Sequence, residues 1–186
     1  MEKLFTLTIF TENKVGLVNR LAIIFTRRKI NIESLTTSET EAEDVYRFTI
    51  CIKSTLETVQ KVVKQIEKQI EVIRCFYYED DEVIFQELAL YKVSTQTLQE
   101  NNGSANLERV VRNNHARILT VLPECVVIEK TGHEDEIQKL FSELNPFKIL
   151  GFVRSGRIAV AKRTMDLTLY VQELEKKNVE VLEEQY

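Results

Sequence analysis

Over residues 3–78 the apolar positions switch between a two-residue and a 3.6-residue period, in the order strand, helix, strand, strand, helix, strand. Lys3 to Thr11 (LFTLTIF at its centre) alternates β-branched and aromatic residues with threonines and reads as a strand. A short polar loop, Thr11 to Gly16, follows. Leu17, Leu21, Ile24 and Phe25 then fall on one face of a helix, closed by Arg27, Arg28 and Lys29 where the helix dipole favours cations. Ile30 to Thr36 is a second strand, and the acidic stretch Ser38 to Asp44 is a turn or flexible hairpin tip. Val45 to Lys53 is a third strand, with Phe48, Ile50 and Ile52 on one face and Arg47, Thr49 and Cys51 on the other. Val59, Val62, Val63, Ile66 and Ile70 mark a second helix, and Val72 to Tyr78 a fourth strand. The fold class this order predicts is α+β, with a ferredoxin-like βαββαβ domain over residues 1–79.

After the acidic run Glu79 to Glu82 the same logic recurs over residues 84–163. Leu88 to Val93 reads as a strand. Gln96 to Ala105 is polar and mobile in character. Leu107 to Asn113 is a short helix with Asn106 as its cap, and Ile118 to Leu122 is a strand ended by Pro123. Val126 to Glu129 is a strand. Ile137, Leu140, Phe141 and Leu144 make a helical stripe, and strands follow at Phe147 to Arg154 and Ile158 to Ala161. The expectation is a second α/β sandwich of similar type. Residues 164–186 form a tail, with Leu167, Val171, Leu174, Val181 and Leu182 at the spacing of an amphipathic helix.

Only 5 glycines and 2 prolines interrupt 186 residues, so regular structure dominates. Between Met165 and Tyr186 two lysines face six carboxylates, which accounts for the whole net charge of −4. The remainder is neutral and carries no basic stripe, so nucleic acid is not an expected partner. Cys51, Cys75 and Cys125 are odd in number, widely spaced and set in apolar runs. They read as small buried hydrophobes in a reducing compartment. With no signal-peptide pattern at the start and no run long enough to span a bilayer, a cytoplasmic location and no membrane partner are expected.

Catalytic and metal chemistry finds few candidates. The two histidines, His115 and His133, have no ligand companion at helical spacing, and both read as surface residues. Gly151 to Gly156 has the glycine spacing of a P-loop, but Arg157-Ile158 stands where the phosphate chemistry needs Lys and Ser or Thr, and the interior reads as strand. No catalytic residue and no metal or cofactor site is therefore assigned to this chain.

The stretch that suits a ligand is Glu12 to Leu21. A strand runs into a glycine turn and then a helix whose first N–H groups have no acceptor, an arrangement that attracts anions. Gly16 lets the backbone turn closely. Asn13 can cap the helix or hydrogen-bond a small polar ligand, and Asn31 breaks the helix before the next strand.

These residues carry a resemblance. Asn13, Gly16 and Arg20, then Phe25, Arg27, Arg28, Asn31, Ile32, Glu33, Ser34 and Leu35, resemble the ACT-domain signature of the small regulatory subunit of acetolactate synthase. Leu107 to Val110, Ala116 to Leu119 and Phe152 to Gly156 resemble later blocks of that family, so the likeness spans roughly residues 1–163. It implies a non-catalytic subunit whose ACT domains pair side by side into a homodimer, with a branched-chain amino acid, usually valine, bound at the interface. Carried over by position, the effector residues are Asn13, Lys14, Val15, Gly16, Leu17 and Val18, with Asn31 and Ile32 facing them from the other subunit. Leu17 would touch the effector's side chain. Thiamine diphosphate, magnesium and FAD are expected on the catalytic large subunit, and no cofactor on this chain. This chain has Lys29 where the family often has glycine, Leu17 where some members have a smaller residue, and an unusually acidic hairpin tip. A free-standing tandem ACT amino-acid sensor shares the first loop without needing the Phe152 to Gly156 likeness. A small enzyme on the same fold would need an acid–base pair that the histidine poverty does not supply.

Overall fold

The computed structural model describes residues 1–98 and 103–163. The tail helix expected over 164–186 lies outside the described residues, as does part of the polar stretch after Gln96. Two compact units are formed, Met1–Ile84 together with the stretch from Ala159, and Phe85–Ile158.

In the first unit β1 (Lys3–Glu12), α1 (Leu17–Arg27), β2 (Ile32–Glu39), β3 (Val45–Ser54), α2 (Leu56–Ile66) and β4 (Val72–Tyr78) follow the expected order. All strand pairings are antiparallel, in the order β2-β3-β1-β4. Phe5, Leu7 and Ile9 of β1 join Phe48, Ile50 and Ile52 of β3 on one face. Against them pack Leu17, Leu21, Ile24 and Phe25 of α1 and Val59, Val62, Val63 and Ile66 of α2. The two helical stripes thus meet the sheet face that the strand alternation marked out.

The second unit repeats this plan. It comprises β5 (Val83–Ser94), α3 (Gly103–Asn113), β6 (Arg117–Val121), β7 (Cys125–Gly132), α4 (Glu134–Leu144) and β8 (Ile149–Arg154), with the order β6-β7-β5-β8; β9 (Ile158–Ala161) pairs with β5 off that path. Tyr91, Val93 and Ile128 pack under Leu107, Val111, Ile137, Leu140 and Leu144. The Tyr91 hydroxyl donates to the Ile137 carbonyl at 2.7 Å, so the largest ring of this core keeps its polar end satisfied.

Several local expectations are corrected. Ile70 is not part of α2. The helix ends at Ile66, and Ile70 is 95% exposed in the turn beyond it. Asn106 is inside α3 and not its cap, since the helix runs from Gly103, which is buried against Thr97 and Leu98 ahead of the first apolar stripe residue Leu107. Its side-chain oxygen accepts from Arg109 instead. Phe147 belongs to a 3-10 turn, Asn145–Phe147, which Pro146 helps start, and β8 begins only at Ile149. β5 starts at Val83 and not at Leu88, straight after the acidic run that follows β4; that run is an exposed 3-10 turn, Asp80–Glu82, closed by reciprocal bonds between Glu79 and Glu82.

β2 starts at Ile32 and not Ile30 for a reason that recurs. Lys29 has φ 56°, its N–H donates to the Thr26 carbonyl at 3.0 Å, and the Ile30 N–H donates to the Phe25 carbonyl at 3.1 Å. At the end of α3, His115 has φ 50°, its N–H donates to Arg112, and the Ala116 N–H donates to Val111. Both are Schellman closures, whose left-handed residue is normally glycine. Lys29 adopts this conformation with a side chain. Lys29→Gly is expected to raise stability by about 1 kcal/mol, read as a higher urea midpoint at unchanged slope.

Cys51, Cys75 and Cys125 are free and buried, as their apolar surroundings suggested. Burial pushes the Cys75 thiol well above its ordinary range, with the Glu67 carboxylate adding to the effect. Among the described residues no helix is long and apolar enough to cross a membrane.

Candidate functional site

The loop between β1 and α1 is held from three sides. The Asn13 N–H donates to the Asp44 carbonyl of the β2–β3 turn at 3.2 Å, and the Lys14 N–H donates back to Glu12 at 3.1 Å. The Glu12 N–H donates to the Glu71 carbonyl at 2.9 Å. Glu71 also binds the other flank, because its carboxylate pairs with the Arg20 guanidinium on α1. A bond from its own backbone N–H and the Arg20 contact hold the Glu71 carboxyl below the usual carboxylate range. One residue of the α2–β4 turn thus ties both the entry and the exit of the loop. Arg20 belongs to the recognised motif; Glu71 was not singled out from sequence, and its partner 51 positions away gives no local signal.

Gly16 is the N-cap of α1, with φ 85° and ψ 0°, and no side chain caps the helix. The capping alternative for Asn13 is therefore not the one adopted. No acidic residue lies in the first turn of α1. Two other helix starts differ: Thr55 caps α2 by accepting from the Thr58 N–H, and His133 and Glu136 close a capping box on α4. The N–H groups at the start of α1 are left for an outside acceptor, in the positive field of the helix terminus.

Asn13, Lys14, Val15, Gly16 and Val18 are all exposed around this helix start, Val15 almost completely at 99%. Leu17 departs from expectation. Its side chain is 2% exposed and points into the core, so only its backbone N–H can face a ligand. Asn31 and Ile32 are not brought to the same place. They lie beyond the opposite end of α1, whose 11 residues span about 16 Å at the usual rise. The Asn31 amide donates to Glu33 at 3.4 Å, and Ile32 begins β2, an outer strand of the sheet. One chain cannot close both asparagines on a single amino acid.

His115 and His133 are both exposed, at the end of α3 and the start of α4, as surface readings require. Gly151 is a strand residue opposite Lys92, so the P-loop spacing there is coincidental.

Comparisons with known proteins agree with the motifs. Residues 7–74 match the family described as the AHAS small subunit-like ACT domain, and residues 86–163 match the family described as the small subunit of acetolactate synthase. The acetolactate synthase small subunit of Mycobacterium bovis is 33% identical over 161 residues, covering 86% of this chain and 93% of that protein. The corresponding protein of Bacillus subtilis is 32% identical over 167 residues, covering 88% and 92%. The crystal structure of the acetolactate synthase small subunit from Thermotoga maritima superposes with a TM-score of 0.77 at 24% identity, over 88% of this chain and 99% of that one, which supports the fold. The chain belongs to the acetolactate synthase small-subunit family.

Proposed function

We propose that this chain is the non-catalytic regulatory subunit of acetolactate synthase, raising the activity of a catalytic large subunit and conveying feedback inhibition by a branched-chain amino acid, valine first among the candidates. Thiamine diphosphate, magnesium and FAD belong on that large subunit in this reading, and the complex works in the cytoplasm. Two chains pair through their ACT domains along β2, so that the start of α1 in one chain faces Asn31 and Ile32 of the other. The observation that supports the site is the uncapped, acid-free start of α1 behind the left-handed Gly16. Its N–H groups suit the effector's carboxylate, and the Asn13 and Asn31 amides suit carboxylate and ammonium. The exposed Val15 and Val18, rather than the buried Leu17, are the apolar side chains available to the effector.

The test is acetolactate formation by the large subunit of the same organism, with and without this chain and with and without valine. Activity is expected to rise on adding the chain and to fall again with valine. Activation with no effect of any branched-chain amino acid would keep the partner and remove the effector. No activation, with valine still bound by the isolated chain, would favour the free-standing sensor.

A further inference from the structure

The first sheet has a second buried face, opposite α1 and α2. The register sets Thr6, Thr8 and Phe10 of β1 beside Cys51, Thr49 and Arg47 of β3 and beside Tyr78, Phe76 and Arg74 of β4. Thr6, Thr8, Thr49 and Phe10 are buried although, among the described residues, no helix covers them. Within the first unit, a cavity of about 190 Å³ lies between this face and Ala159–Ala161, lined also by Arg47, Tyr78 and Arg163.

Arg47 is anomalous there. Its Nε is closed off from solvent and has no hydrogen-bond partner among the described residues, and its guanidinium stands 5.1 Å from the centre of the Phe10 ring. A cation–π contact does not replace the hydrogen bond that the buried Nε loses. Such a group is ordinarily matched by an anion. Two carboxylates of the adjoining turn are already engaged, Glu79 with Lys3 at 2.7 Å and Glu82 with the Glu79 N–H at 3.0 Å. The Thr8 and Tyr78 hydroxyls add O–H donors to the same cavity, and burial pushes the Tyr78 phenol up, which keeps its proton in place. The volume decides the size of the guest, since pockets for drug-sized ligands run to about 300–1,000 Å³. A single small oxyanion is in scale, and a nucleotide is not.

We propose that this cavity is a phosphate-class oxyanion site, in which Arg47 and Arg163 supply the charge and Thr8 and Tyr78 the orienting hydroxyls. It is separate from the α1 effector site and does not depend on that reading. The test titrates the full chain with inorganic phosphate at constant ionic strength set by chloride, followed by calorimetry. Wild type and Asn13→Ala are expected to bind phosphate saturably and alike, while Arg47→Gln and Arg163→Gln weaken binding about tenfold or more. Absence of saturable binding to the wild type would overturn the proposal. So would wild-type affinity in folded Arg47→Gln, and if that variant does not fold, wild-type affinity in Arg163→Gln is equally decisive because that residue is exposed.

Discussion

Gly16→Asp is expected to abolish effector binding while leaving the chain folded. A Cβ at Gly16 meets nothing within 4 Å, so the substitution has room, and the cost is conformational because φ is +85°. That cost is about 1 kcal/mol, at the low end for an L-residue in the left-handed region, and aspartate is among the side chains that tolerate it best. The new carboxylate, however, stands at the helix start where the effector's carboxylate would be received. Like charges set against each other in a binding site cost several kcal/mol, so the valine Kd should rise about 100-fold or more. Gly16→Ala carries the same backbone strain without the charge and should keep most of the affinity. Calorimetric titration of the three proteins with valine checks this. Equal affinity in wild type and Gly16→Asp would place the effector elsewhere, whereas a matching loss in Gly16→Ala would make the effect one of loop geometry.

Phe25→Ala should cost about 3–5 kcal/mol of stability. The ring is 1% exposed and packs within the cluster formed by β1, β3, α1 and α2. A domain's total stability is only about 5–15 kcal/mol, so the first unit of this variant would stand near its unfolding threshold. Phe25 also supplies the carbonyl that receives the Ile30 N–H in the helix closure, so a cavity under it loosens the segment leading to Asn31. Urea unfolding followed by far-UV circular dichroism should show a markedly lower midpoint. A loss below 1 kcal/mol would mean that the neighbouring side chains collapse into the space.

Where the pattern was periodic the sequence was enough. Leu17, Leu21, Ile24 and Phe25 announced both the position of α1 and the face it buries, and the alternation in β3 separated Phe48, Ile50 and Ile52 from the opposite face. What the pattern could not carry was information held by distant residues. Thr8 lines a cavity with a stretch beginning at Ala159, and a threonine facing another strand reads the same as one facing water. The Leu17 side chain was misplaced because loop membership and core membership overlap at a helix's first residue. Ile70 extended an apparent stripe by one turn because hydrophobicity marks a face but not the residue at which a helix stops. The candidate loop was legible from Asn13 and Gly16. Its fastening through Glu71 was not, because an ion pair between α1 and a later turn leaves no spacing to detect.

The three thiols have a practical consequence. None is within reach of a reagent while its surroundings are closed, so alkylation must wait for the backbone around it to open. Cys51 and Cys75 sit in the first sheet and Cys125 in the second. A labelling time course at the three sites therefore works as a pair of internal clocks, one for the breathing of the first unit and one for that of its companion.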